Sequence, residues 1–316
     1  MSENIRTILA LSRLPKVGRV RLRKVLERLK GDTDAELRLT DLLERFADQI
    51  PIQTPAAVEA AVAKADELLE RCRTLGVTAH PFGWPSYPSQ LARLAEPPAL
   101  IFSLGKFEPQ RQPRVAVIGT RHPTAWGIET AKTCAGQISD SHGVVVSGLA
   151  LGIDATAQQA AVDRGGPTWA VLAHGLHTVS PSSNRELAKQ ILEQGGALIS
   201  EYPPGEPAQR HYFVERDRIQ AGLADAVLVI ESGINGGSMH TVRYAQEAHV
   251  SVWVTFPDAK LHEAQTNSAD LPEPQQGTWD LLSAKRATRV TGTKTLTRMI
   301  GELLARPSVP DTAPTP

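Results

Sequence analysis

In residues 144–161, VVVSGLALGIDATAQQAA, three valines run into a serine, two glycines four apart, an acidic residue and an alanine-rich tail. β-Branched residues favour a strand, the glycines a tight turn and the alanines a helix. A strand that turns through glycines into a helix leaves backbone N–H groups free at the helix start, and such a turn can hold a phosphate. Whether that phosphate belongs to a coenzyme, a small substrate or a nucleic acid is left open by these residues alone.

Working outward, the same alternation recurs. Short runs of β-branched and apolar residues stand at 115–118, 143–147, 168–173, 197–200, 226–231 and 250–255, most of them separated by stretches long enough for a helix. Continuous apolar strands alternating with helices predict a parallel sheet covered on both faces, a doubly wound α/β domain over 113–258. Ligands of such sheets bind at the carboxyl ends of the strands. Before this domain, residues 1–78 repeat apolar positions at three and four, with Ile8, Leu11 and Leu14 and then Leu22, Val25, Leu26 and Leu29, and predict a small all-helical domain. Six prolines in 79–112 and a seventh at Pro113 mark a connector with room for one short strand at 99–102. Residues 259–316 read as an extension with one helix near 294–305 and a disordered tail.

The 34 Lys and Arg balance the 34 Asp and Glu, so mean charge selects neither nucleic acid nor membrane. The distribution is uneven: the first thirty residues hold nine basic side chains against Glu3 and Glu27. The segment LPKVGRVRLRKVLERL places a proline and a glycine between two helical stretches, as in a hairpin that meets a DNA backbone, or in an ordinary helical hairpin with a solvated basic face. Cys72 and Cys134 lie far apart without metal spacing, which suggests a reducing cytoplasm and no metal site. The N-terminus lacks the apolar run of a signal peptide, and no segment reaches the roughly 18 apolar residues of a membrane span.

Four strand-end loops carry the candidate chemistry. After the first strand, Gly119, Thr120 and Arg121 combine a turn, a hydroxyl and a fixed cation, a set suited to phosphate or simply a turn with a surface arginine. After the second, Ser147, Gly148 and Gly152 precede Asp154, which at a helix start acts as a cap or holds neighbouring loops. After the fourth, Arg210, Arg216 and Arg218 are interleaved with His211, Tyr212 and Phe213; charge beside rings suits single-stranded nucleic acid, unless the arginines pair with Glu215 and Asp217 on an amphipathic helix. After the fifth, Gly236, Gly237, Ser238 and Thr241 open a helix with further N–H and hydroxyl donors. The dinucleotide fingerprint GxGxxG is missing, which argues against a nicotinamide cofactor, and no cofactor is expected. No nucleophile elbow, metal-ligating triplet or lysine-bearing phosphate loop appears, and the acids Glu231 and Glu247 lack a clear partner, so the site reads as one that holds phosphate without cutting.

These loops in this order resemble the DprA/Smf family of DNA-processing proteins. The family's GSR turn corresponds to Gly119, Thr120 and Arg121, its SGLARGID to Ser147 through Asp154, its AVLxxGL to Ala170 through Leu176, and its SEYP to Ser200 through Pro203. Its FxxRNRI corresponds to Phe213 through Ile219, and a further stretch lies near Gly236 to Thr241. The resemblance implies a Rossmann-like core after a helix-hairpin-helix or SAM-like domain, and a cytoplasmic protein that is not an enzyme. It implies a homodimer that binds single-stranded DNA and helps load the RecA recombinase in DNA uptake, with Arg121, Arg210 and Phe213 in the DNA pocket. The departures are Leu151 for the motif arginine, Gln158 for a histidine, Asp217 for an asparagine, Ser180 for a tyrosine and Pro257-Asp258 for a Pro-Gly pair. Leu151 and Asp217 should weaken phosphate binding, and 259–316 leaves no room for the winged-helix domain many members carry. The rival reading is a nucleotide sensor or a nucleoside-monophosphate hydrolase of the lonely-guy type, for which the match is Gly236, Gly237, Ser238 and Thr241.

Overall fold

The computed structural model describes residues 3–29, 36–108, 112–261 and 268–305. Four helices come first: α1 (Glu3–Arg13), α2 (Arg19–Arg28), α3 (Leu39–Arg45) and α4 (Pro55–Leu75). The start of α4 follows from its sequence: the Thr54 hydroxyl accepts from the Ala57 N–H, and Pro55 stands where no N–H is needed. Gly76, with φ of 70°, ends it in the left-handed conformation that glycine adopts without strain.

The strands are β1 (Thr78–Pro81), β2 (Leu100–Gly105), β3 (Arg114–Ile118), β4 (Val144–Ser147), β5 (Thr168–Leu172), β6 (Ala197–Ser200), β7 (Ala226–Val229), β8 (Ser251–Thr255) and β9 (Thr288–Val290). They form one sheet in the order β1-β2-β6-β5-β4-β3-β7-β8-β9. β1 and β2 run antiparallel at one edge, and every pairing from β6 to β9 is parallel. Between the strands lie α5 (Ala125–Asp140), α6 (Ile153–Asp163), α7 (Arg185–Glu193), α8 (Arg210–Leu223), α9 (Ser238–Glu247), α10 (Glu273–Ser283) and α11 (Thr293–Leu304). Strands β3 to β7 are buried throughout, as apolar runs covered on both faces require. The doubly wound, mostly parallel sheet behind an all-helical start matches the sequence reading.

Two segments differ from that reading. Residues 79–112, read as a connector, supply β1 and β2, because Pro81 sits on an edge strand where its missing N–H breaks no ladder. Residues 259–316, read as an extension with one helix, supply α10, β9 and α11; β9 closes the far edge of the sheet, and Leu296, Met299, Ile300 and Leu303 bury against its core. The tail expected beyond residue 305 lies outside the described residues. The N-terminal helices share one continuous core with the sheet, from Ile8 and Leu11 through Ile101 to Val254. No described helix is long and apolar enough to cross a membrane.

The strand order fixes where a ligand can sit. The chain enters the parallel part of the sheet at β3, proceeds through β4 and β5 to β6, then crosses back through α8 to β7 on the other side of β3. The loops after β3 and β7 therefore diverge, and the crevice between them is the switch point at which open α/β sheets bind ligands.

Candidate functional site

A cavity of about 390 Å³ opens at this switch point. Its walls are Gly119, Thr120, Arg121 and His122 after β3, Ala150 and Asp154 after β4, one face of α8, and residues 232–241 at the start of α9. The loops are locked to one another by backbone bonds. Thr120 N–H donates to Glu231 O (2.7 Å), and Ile153 N–H donates to Thr120 O (3.1 Å).

Two of the loop glycines build this site and do not line it. At Gly152 φ is +79° and a Cβ would stand 2.4 Å from Thr120 O, so only glycine lets the second loop lie against the first. At Gly148 a Cβ would stand 2.0 Å from the Arg216 guanidinium. Ser147 is fully buried, and its hydroxyl donates to Val117 O (2.7 Å). Residues 147, 148 and 152, read as ligand contacts, are thus the scaffold of the turn.

On the open side stand Arg121 and Phe213. The exposed Arg121 guanidinium lies 5.8 Å from the centre of the Phe213 ring, within cation–π range, and makes no ion pair with any described residue. In the same cavity α9 begins at Ser238 without a side-chain cap; Met239 N–H donates to Gly236 O (3.0 Å) and His240 N–H to Gly237 O (3.1 Å), so the helix offers the cavity its partial positive charge beside Gly237, Ser238 and Thr241. The Ser238 hydroxyl donates to Ser232 Oγ (2.8 Å).

The arginines of α8 divide three ways. Arg216 lines the floor but is buried: Nη1 donates to Gly148 O (2.8 Å) and Val171 O (2.6 Å), and Nε donates to Asp217 Oδ1 (3.2 Å). Arg218 is corrected as a cavity residue, since it points to the other side of the helix, donating to Glu96 O and pairing with Glu201. Arg210 is exposed at the first turn of α8 and lies outside the cavity. The expected pairing of Glu215 on its own helix is replaced by Arg19 of α2 (2.8 Å) and by the Tyr202 hydroxyl. Much of the N-terminal basic run is similarly occupied, with Arg6, Arg23 and Arg28 paired to Asp66, Glu27 and Asp48.

Beneath the cavity Arg216 stands between two carboxyl groups. Asp154 accepts from the Gly148 N–H (3.0 Å), so it holds its own loop and does not cap α6. Burial raises its pKa despite Arg216. Burial, aided by Asp154 and opposed by Arg216 and Arg121, pushes Asp217 up to about 6. Because the folded state holds this proton more tightly than the unfolded chain, Asp217 favours folding below about pH 4, and that contribution is lost as pH rises toward 6. Urea unfolding of wild type and Asp217→Asn side by side isolates this contribution: the stability of Asp217→Asn relative to wild type should rise from about pH 4 to 6 and stay higher at pH 7.

The sequence reading held Asp217 to be an acid that weakens phosphate binding, and it does line the cavity; Gln220, His122, His240 and Glu273 were missed as lining residues. Two of its departures, Gln158 and Leu151, take defined places, and Asn184 is fixed beside them. Gln158 bonds the Leu149 N–H and Trp169 O inside the turn. Asn184 donates to Leu149 O (2.8 Å). Leu151 is 47% exposed beside the cavity wall. Glu231, a candidate acid for hydrolysis, is fully buried and accepts from Thr124 N (2.9 Å), Thr124 Oγ1 (2.7 Å) and Gln275 Nε2 (3.0 Å). Glu247 pairs on the surface with Arg243 (3.7 Å).

Comparison with known proteins agrees with this architecture. The chain is 39% identical over 184 residues to Protein Smf of Synechocystis, which covers 57% of this chain and 46% of that protein, so it spans about half the length of this relative. The structure of DNA processing protein A from Streptococcus pneumoniae superposes with a TM-score of 0.72 at 27% identity, covering 93% of this chain and 95% of that one. DNA processing protein A from Helicobacter pylori, whose structure describes single-stranded DNA binding, superposes with a TM-score of 0.60 at 26% identity over 72% of this chain and 95% of that one. A family model matches residues 79–301, from the first strand of the sheet into its last helix, and the chain belongs to the DNA recombination-mediator protein A family.

Proposed function

We propose that this chain binds single-stranded DNA at the switch-point cavity and holds it without cutting it. The observation that carries the reading is the pairing of Arg121 with the Phe213 ring in one cavity with the start of α9. A ring offers a base a stacking surface, a free guanidinium meets the backbone, and a helix N-terminus receives a phosphate. Arg210 at the head of α8 continues the cationic track outside the cavity. The Helicobacter pylori relative, which binds single-stranded DNA, supports the ligand class. Glu231, the candidate acid after β7, does not line the cavity and is spent on the first turn of α5 and on Gln275. Residues 237, 238 and 241 then hold phosphate where a hydrolase would process a nucleotide.

In this reading the cytoplasmic protein works in DNA uptake and recombination, as a homodimer that protects the strand and presents it to the RecA recombinase. Anisotropy titration of short single and double strands at several salt concentrations tests the ligand. Single strands should bind more tightly, with an affinity that falls steeply with salt. Equal binding of both forms, or none, would refute the reading.

Leu151 gives a gain-of-function counterpart. It is exposed beside Ala150 of the cavity wall, and an arginine there adds a cation without burying it. Leu151→Arg should tighten single-strand binding and steepen the slope of log affinity against log salt by about 0.7, the value for one further phosphate contact on a single strand.

A further inference from the structure

The floor of the cavity is chemically unlike its rim. Phe213, Asp217 and Gln220 succeed one another at spacings of four and three on α8, so they share one helix face, and all three line the cavity. The rim carries the cationic groups, Arg121 and the start of α9, together with the exposed carboxylate of Glu273. The floor holds two carboxyl groups, Asp154 and Asp217, against the single guanidinium of Arg216. Phosphate is repelled from such a floor and stays at the rim, while an uncharged base can descend.

What meets the base is a set of unsatisfied groups. Asp217 Oδ1 accepts from Arg216 Nε, and its Oδ2 accepts from no described residue. Gln220 is 2% exposed, and its Nε2 has no hydrogen-bond partner among the described residues. A buried amide donor without a partner is costly, and a ligand that supplies an acceptor relieves that cost.

Resting on the reading above, we propose that Asp217 and Gln220 make this cavity selective for guanine among the bases of a single strand. Guanine presents two adjacent donors, N1–H and the N2 amine, to one carboxylate, and its O6 accepts from the Gln220 amide. Cytosine and adenine offer the carboxylate one amine each. Thymine offers one N3–H between two carbonyl oxygens, which the carboxylate repels. Carboxylate recognition of base donors and amide recognition of base acceptors follow the usual edge chemistry. Phe213, one helical turn before Asp217, stacks the base so that its edge points down the helix face.

The test is competition between three short single strands: all thymine, the same strand with isolated guanines, and that strand with inosine in place of guanine, which lacks the N2 amine. The wild type should favour the guanine strand over the thymine strand by about fivefold or more, the effect of one well-made base contact, with inosine between them. Asp217→Asn should bring the guanine-to-thymine ratio close to one, and Gln220→Leu should reduce it. Equal affinity of the wild type for all three strands would overturn the selectivity while leaving strand binding intact. A uniform gain in affinity for every strand in Asp217→Asn, with the guanine-to-thymine ratio unchanged, would also overturn it, since the carboxylate would then act only by repelling phosphate. Binding of none of the strands would overturn the selectivity together with the reading it rests on.

Discussion

Arg216→Ala should cost the fold about 3–5 kcal/mol, the scale for removing one partner from a buried charge group. The side chain is 7% exposed and serves four groups at once: the carbonyls of Gly148 and Val171 and the carboxyls of Asp154 and Asp217. Without it two carbonyl oxygens lose a donor and two carboxyl groups lose the only buried cation beside them among the described residues. Gly148 adds to the effect, because the turn after β4 is shaped against this guanidinium. Arg216→Lys keeps the charge but cannot reach both carbonyls and Asp217 together, so it should fall between wild type and alanine. Urea unfolding followed by circular dichroism reads the difference. Stability of Arg216→Ala within about 0.5 kcal/mol of wild type, the range of an ordinary surface change, would show that Arg216 is not structural.

The second large effect falls on the ligand. Among the described residues, Phe213→Ala removes the only ring that lines the cavity apart from its histidines, and base stacking on an aromatic side chain contributes about 1–3 kcal/mol, a loss of about fivefold to a hundredfold in affinity. Arg121→Glu replaces a free cation by an anion at the rim, where it meets the same phosphate. Its loss should be at least as large and should shrink as salt rises, because screening weakens both the lost attraction and the new repulsion. Neither side chain is buried, so neither variant should shift the urea midpoint appreciably. The two single variants touch each other at 5.8 Å, and the double variant should lose less than the sum of the two. Filter binding of a short single strand at low and moderate salt checks all three expectations.

The centre of the fold was legible because buried parallel strands write themselves as uninterrupted apolar runs, and β3 to β8 all do so. The edges were not. β1 carries a proline and β9 spans three residues, Thr288, Arg289 and Val290, of which only Val290 is buried. α10, with the sequence EPQQGTWDLLS, looks like a loop because it contains a proline and a glycine. Pro274 stands in its first turn, and Gly277 packs so closely on Ser232 and Gly233 that a Cβ would lie about 2.5 Å from their carbonyl oxygens.

At the site, glycines, the free arginine and the ring could be read from strand-end loops, whereas the roles along α8 required its geometry. Five residues separate Arg218 from Phe213, which at 3.6 residues per turn sets them about 140° apart and sends Arg218 away from the cavity. The same periodicity applied to residues 210–223 brings Asp217 and Gln220 under Phe213, a signal present in the sequence but hidden by reading the arginines as one basic patch. What no pattern could show is that Ser147 and Arg216 are consumed by backbone carbonyls, because those partners come from strands far off in the chain.

The most direct measurement of where a strand lies is photocross-linking of a short single strand carrying 5-iodouracil, followed by mass spectrometry of the linked peptides. A strand seated at the switch point should link to Phe213 on α8, with Phe213→Ala abolishing that link while Arg210→Glu weakens it. Links confined to the basic hairpin of α1 and α2, with none on α8 or the start of α9, would contradict the assignment of the cavity as the DNA site.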